Sequence, residues 1–269
     1  MFLAANASDF LVALIATIVV IWIARRRYLK MQRERQPFPA EWRRLLDTRI
    51  PLLRLLKPEQ RRRYERHVRD FIADVRFIGC NGLVVNDDMR VLIAGLACLL
   101  ILRPDAHVFR GLQSVLVYPS AFWVRQPRAD EFGVVSDSPQ LRAGESWRGQ
   151  RVVLSWEDVQ AALGGARHNV VAHEFAHQLD DENPGSPGAP RLADYGQWSK
   201  VMQAEYDRLH DEPSAVLDDY GLEGPQEFFA VATEAYFQIG AALRQEHPKL
   251  YTLLRDYYGV DTARAAFEA

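Results

Sequence analysis

Cysteine is nearly absent from this chain: Cys80 and Cys98 are the two in 269 residues, and both have apolar neighbours. That excludes a disulfide framework and points to a reducing compartment. A strong net charge is missing too, the formal balance being -2 at pH 7. No internal repeat is present. Nothing basic precedes the first apolar run, and Arg25, Arg26 and Arg27 follow it. A cleaved secretory signal carries its charge in the opposite order, so that reading is set aside.

What is present is an ordinary globular composition, 48% hydrophobic and 25% charged, enough for a sizeable core. The small net charge conceals an asymmetry. Between Arg25 and Arg76 there are 17 Lys and Arg against 7 Asp and Glu, out of 33 and 35 in the whole chain. Such a basic stretch suits a membrane surface, a solvated face or nucleic acid. No aromatic platform or binding motif accompanies it, so direct nucleic-acid contact is not expected.

Residues 10–24 are apolar except for Thr17. Fifteen helical residues reach about 22 Å, and counting from Phe2 about 35 Å, against a hydrocarbon core of about 30 Å. We therefore expect one N-terminal transmembrane helix over residues 1–24, with a buried apolar helix as the competing reading. Trp22 and Tyr28 fit an interfacial belt, and residues 25–40 form a basic, proline-containing juxtamembrane linker. The positive-inside tendency then places a single-pass protein in a bacterial inner membrane, with residues 41–269 on the cytoplasmic side.

The chemistry concentrates at residues 169–180. His173-Glu174-Phe175-Ala176-His177 is a His-Glu-x-x-His motif, and Val170, Val171, Phe175, Ala176 and Leu179 recur at helical spacing. Residues four apart share a helix face, so the two imidazoles can meet one ion while Glu174 stands beside them to accept a proton from water. The competing reading is a surface helix that happens to carry two histidines.

The body around this motif reads as helix-dominated α+β with one core and a small mixed β-sheet. Residues 58–77 form an amphipathic helix. Residues 90–102, with Asn86, Asp87 and Asp88 available as caps, form a core helix too short to span a membrane. Strands are expected at 114–118, 121–124 and 149–156, and Ser155 and Asp158 have capping-box spacing for a short helix. The strand at 151–155 is a candidate edge against which a peptide could lie. A loop follows Asp180, and helical patterns resume at 194–210, 225–238 and 248–257.

Two histidines need a third protein ligand. Glu227 and Glu234, seven apart on the helix at 225–238, both qualify, and spacing does not choose between them. Asp180, one turn beyond His177, is a candidate for orienting an imidazole, with helix-end solvation as the plainer role.

Several runs carry a resemblance: Val117-Tyr118-Pro119-Ser120-Ala121-Phe122, Leu154-Ser155-Trp156, the segment from His173 through Gln178-Leu179-Asp180, and Glu227-Phe228-Phe229-Ala230-Val231 ahead of Glu234. In this order, over residues 38–237, the chain resembles the Mlc titration factor A family of bacterial zinc metallopeptidases. The resemblance implies a zincin-like domain of the gluzincin kind, similar in its catalytic core to anthrax lethal factor, and one Zn²⁺ per chain. It puts the third metal ligand at Glu227, beside His173 and His177, and makes Glu234 a supporting acid. It also gives Tyr220 a catalytic role beside Glu174, donating a hydrogen bond to the oxyanion; packing under Phe228 is the plainer alternative. The family's known partner is a glucose-responsive transcriptional repressor, and its best-known members are soluble, so the expected anchor is a departure. The reading is a membrane-anchored zinc peptidase acting on a peptide or protein substrate. The alternative is a membrane-tethered protein that sequesters a transcriptional regulator.

Overall fold

The structure is a computed structural model that describes residues 7–264 apart from 121, 125–127, 130–134, 137–139, 143–149 and 184. Two units make up the chain, Met1–Pro39 and Ala40–Ala269. In the first, a single helix, α1, runs through Ala7–Arg35. The expected transmembrane span is not found: among the described residues no helix is long and apolar enough to cross a membrane. Helix α1 runs from the expected anchor, residues 1–24, into the expected linker from residue 25. Leu, Ala, Arg, Lys, Gln and Glu are strong helix formers, so the backbone continues through the basic residues without interruption. Leu11, Val12, Ile18 and Trp22 are exposed along it.

The second unit opens with α2 (Ala40–Arg49) and α3 (Pro58–Asp74), the latter started by Pro58 and by a Lys57 N–H that donates to Gln60 Oε1 at 3.0 Å. The helix expected over 58–77 stops at Asp74. Val75 turns extended, and Arg76–Gly79 becomes β1, because its backbone groups find partners on a distant strand. Then come α4 (Asp87–Cys98) and β2 (Ser114–Tyr118). The short strands β3 (Phe122–Val124), β4 (Arg128–Ala129), β5 (Val135–Ser136) and β6 (Gln140–Arg142) precede β7 (Arg151–Ser155). Asn86 Oδ1 caps α4 by accepting from Met89 N at 2.9 Å, as its position suggested.

The main sheet has the order β1-β2-β7 and is parallel throughout, with Phe77 opposite Val115 and Val115 opposite Val152. The mixed sheet expected from sequence is thus corrected: the antiparallel pairs, β3 with β6 and β4 with β5, are separate two-stranded ladders. Parallel neighbours require a crossover, and α4 lies in the one between β1 and β2. Val115, Val117, Val152 and Leu154 are buried, as parallel sheets demand.

From β7 the chain enters α5 (Trp156–Leu163), capped by Ser155 Oγ accepting from Asp158 N at 3.3 Å, and then α6 (Val170–Asp181). The remaining helices are α7 (Gly196–Asp211), α8 (Pro225–Gln238), α9 (Gly240–Glu246) and α10 (Pro248–Tyr258). Helix α6 packs against α4, β7 and α8. Its Phe175 closes an aromatic cluster with Phe71 at 5.6 Å and Phe109 at 4.6 Å between ring centres. Helix α8 is buried from Phe228 to Gln238, and Tyr236 stacks on Tyr258 at 5.5 Å. The two helices that carry the candidate ligands are therefore both core elements, which fixes their separation.

Candidate metal centre

Helix α6 begins at Asn169, whose Oδ1 accepts from Ala172 N at 2.9 Å. One turn on, His173 and His177 project from the same side, with Nε2 atoms 3.2 Å apart. Glu227, in the first turn of α8, brings its Oε2 to 3.2 Å from His173 Nε2 and 3.2 Å from His177 Nε2. The structure thus assembles the His173, His177 and Glu227 group expected from sequence.

A tetrahedral zinc ion with bonds of about 2.0–2.1 Å separates neighbouring ligand atoms by about 3.3 Å. The three observed edges, each 3.2 Å, match that spacing. Glu227 Oε2 is buried and accepts no hydrogen bond of acceptable geometry, although both rings are close. Two ring nitrogens and a carboxylate oxygen converging at this spacing are a donor set that a cation can join. The residues fit the metal.

Electrostatics agree with this. Burial would lower the pKa of His173, but contacts with Glu227 and Glu234 override it and raise the value to about 10. The field at this ring therefore favours positive charge, a demand that a divalent cation meets equally well. Burial raises the carboxyl of Glu227, yet the two imidazoles hold it down at about 2, so it is ionised.

Glu174 lies deeper, 4% exposed, with its Oε2 unpartnered. Burial lifts its pKa to about 7, against the pull of His173 and His177. A carboxyl that titrates near neutrality both accepts and returns a proton, which is what a general base and acid requires.

Spacing could not separate the two acids of α8, and the structure shows that both reach His173 from opposite ends. Glu234 Oε1 meets Nδ1 at 2.6 Å, and its Oε2 accepts from Asn169 N at 2.8 Å. Burial raises the carboxyl of Glu234, and His168, His173 and the Asn169 N–H together bring it below the ordinary range. An ionised carboxylate at that distance accepts from a proton on Nδ1, so Nε2 is the ring atom that faces the triangle.

Tyr220 stands on the 3-10 turn Asp219–Glu223, capped by Asp218 Oδ1 accepting from Tyr220 N at 2.9 Å. The residue is 46% exposed, and its ring lies 5.9 Å from that of His173, centre to centre. The turn is held by Tyr206, which donates to Leu222 O at 3.0 Å. So Tyr220 faces the triangle's edge and not the core under Phe228. A cavity of about 530 Å³, lined by His168, Ser214, Asp219, Val231 and Glu234, opens beside the triangle, not over it.

Asp180 does not orient an imidazole. Its Oδ1 accepts from Gly188 N at 2.6 Å and Ala189 N at 3.0 Å, and its Oδ2 from Gln226 Nε2 at 2.8 Å. Helix-end solvation is also wrong, since the side chain is buried. Gln226 and Gly188 were not singled out from sequence. Only the adjacency of Gln226 to a ligand candidate, and the Gly and Pro content of residues 184–190, hinted at them.

A buried helix with two imidazoles, a distal carboxylate completing their triangle and a near-neutral glutamate alongside, on a helix-dominated domain with a small parallel sheet, is the arrangement of a metallopeptidase-like protein. Comparison with known proteins narrows that class. The chain belongs to the Mlc titration factor A family: residues 21–259 match the family described as glucose-regulated metallo-peptidase M90. It is 38% identical over 247 residues to an uncharacterized protein of Synechocystis, covering 88% of this chain and 89% of that one. It is 32% identical over 222 residues to Mlc titration factor A of Serratia proteamaculans, covering 79% and 84%. The Yersinia pestis protein of the same name is 31% identical over 231 residues, covering 82% and 85%. Membership implies a metal ion, typically zinc.

Proposed function

We propose that this protein is a zinc-dependent peptidase that hydrolyses a peptide bond in a peptide or protein substrate. The observation that carries the reading is the triangle of 3.2 Å edges among His173, His177 and Glu227, with Glu174 next to it. His173, His177 and Glu227 would hold one Zn²⁺. When bound, zinc polarises the scissile carbonyl and acidifies a water. Glu174 takes the proton of the attacking water on its unpartnered Oε2 and hands it to the departing amine. Tyr220, whose ring lies 5.9 Å from that of His173, donates its phenol O–H to the oxyanion. Glu234 keeps the proton of His173 on Nδ1 throughout. Strand β7, which pairs only with β2 among the described residues, offers the edge along which the substrate backbone lies.

The test is cleavage of short peptides by the full chain, with and without a chelator. Glu174→Gln is expected to keep zinc and lose turnover by about 10²–10⁴-fold, whereas His177→Ala loses both. An active Glu174→Gln variant sinks the assignment.

The name shared by two of the relatives, Mlc titration factor A, supports a second reading in which the protein binds and sequesters a transcriptional regulator. Zinc-loaded protein that cleaves no peptide yet retains a repressor on a column favours it. We also propose that α1 attaches the protein to the bacterial inner membrane with residues 41–269 on the cytoplasmic side. The exposed Leu11, Val12, Ile18 and Trp22, followed by Arg25 and Arg27, support this. Recovery of the full chain in the supernatant after membranes are pelleted contradicts it.

A further inference from the structure

We infer that Asp180 is a positioning residue for the metal centre, acting on Glu227 through Gln226; the inference rests on the zinc reading above. Asp180 and His177 lie one turn apart on α6, and Gln226 and Glu227 are adjacent at the start of α8. The 2.8 Å bond from Gln226 Nε2 to Asp180 Oδ2 therefore runs beside the 3.2 Å approach of Glu227 to His177. This bridge ties the two helices at the His177 and Glu227 end, as Glu234 ties them at the His173 and Asn169 end.

The same carboxylate ties in a third element. Its other oxygen takes the N–H groups of Gly188 and Ala189, which draws the loop after α6 back onto the helix junction. That loop lies directly on the first residue of α8. A Cβ at Gly188, whose φ is +79°, would stand 2.5 Å from Pro225 O, so only glycine permits the contact. Trp198 Nε1 donates to Gly188 O at 3.2 Å and holds the loop from the other side. Asn183 Nδ2 donates to Ala189 O at 3.1 Å and closes the loop on itself.

A buried carboxylate with three neutral N–H donors and no cation among the described residues is a costly way to end a helix, because desolvation opposes it. A helix end needs none of this. The arrangement makes sense if it locates the start of α8: among the described residues the Oε2 of Glu227 accepts no well-formed hydrogen bond, and it points at the imidazoles. Outer partners that fix a ligand typically govern metal affinity by 10–100-fold.

The experiment measures zinc affinity of the full chain by competition with a chelator, alongside the melting temperature of the metal-free protein. Gln226→Leu removes the bridge and leaves the loop anchored. It is expected to weaken zinc about 10-fold with a modest drop in metal-free melting, because one buried oxygen of Asp180 loses its donor. Asp180→Ala removes both arms and should weaken zinc further, up to about 100-fold, while also lowering the melting temperature. Asp180→Asn should recover near wild-type affinity, since the Gln226 amide can turn to offer its oxygen. Zinc affinity within about threefold of wild type in folded Gln226→Leu overturns the inference, as does Asp180→Asn behaving like Asp180→Ala. Should Asp180→Ala fail to fold, Gln226→Leu alone decides the question. Failure of the wild-type chain itself to bind zinc would instead overturn the metal reading.

Discussion

Replacing Glu234 separates its two tasks. Its carboxylate accepts two close hydrogen bonds, from His173 Nδ1 at 2.6 Å and Asn169 N at 2.8 Å, and draws His168 Nδ1 to 3.8 Å. In Glu234→Leu both donors lose their acceptor, at about 1–3 kcal/mol each, so folding stability should fall by about 2–6 kcal/mol. A domain has only about 5–15 kcal/mol in total, so the loss is large but survivable. The freed ring of His173 can rotate or change tautomer, and zinc affinity should drop by about 10–100-fold, equivalent to about 1.4–2.7 kcal/mol. Glu234→Gln retains one acceptor and turns its NH₂ towards the other donor, so it should fall between wild type and the leucine variant in both quantities. Urea unfolding of the full chain with chelator present gives the first number, and chelator competition gives the second. A leucine variant within 0.5 kcal/mol of wild type, or one that binds zinc within threefold of it, would refute the reasoning.

Tyr220→Phe should leave zinc content unchanged and lower kcat by about 10²-fold, with KM little altered; equal kcat in the two proteins removes Tyr220 from the mechanism. Glu65 accepts from Arg43 at 2.9 Å and Arg61 at 3.1 Å, and although burial raises its carboxyl, the two guanidiniums bring it below the ordinary range. Its stabilisation is therefore present above the unfolded value of about 4.3 and disappears as pH falls through the lower folded value. Glu65→Gln should melt earlier than wild type at pH 7, and the two curves should converge on the acid side of pH 4; a gap that widens with acid contradicts the sign. Gly95→Ala would set a Cβ 2.4 Å from Leu46 Cδ2 and 2.9 Å from the Tyr64 hydroxyl. Denaturant unfolding should register a loss of about 1–3 kcal/mol from overpacking, and an unchanged midpoint would mean that this contact has more slack than it shows.

The parts of the site that sequence disclosed were those governed by local spacing. His173, Glu174 and His177 lie within one helical turn, and helical periodicity alone presents both imidazoles to one point. Glu227 and Glu234 share a face, so both were found and neither was chosen; their division of labour depends on which nitrogen of His173 each reaches, a tertiary fact. Asp180 was misjudged because its true partners are remote, Gln226 among them, while its sequence neighbours suggested an imidazole. Likewise β1 read as the tail of a helix, since Phe77 continues the apolar face of α3 and only pairing with β2 makes the segment a strand. The run at 10–24 showed its apolar character plainly, but helix propensity carried the backbone past the point where the change in composition suggested a boundary.

The parallel pairing of β1, β2 and β7 has a consequence for how the molecule comes into being. Arg76 pairs with Ser114, and Ser114 with Arg151, so no two neighbouring strands can zip from a turn as a hairpin does. A chain emerging from the ribosome exposes one flank of β2 until β7 has been synthesised, and α6, which begins at residue 170, and Glu227 on α8 emerge only after that strand is complete. Assembly of the metal ligands is thereby postponed to a late stage of biogenesis, after the scaffold that must hold them apart from water already exists.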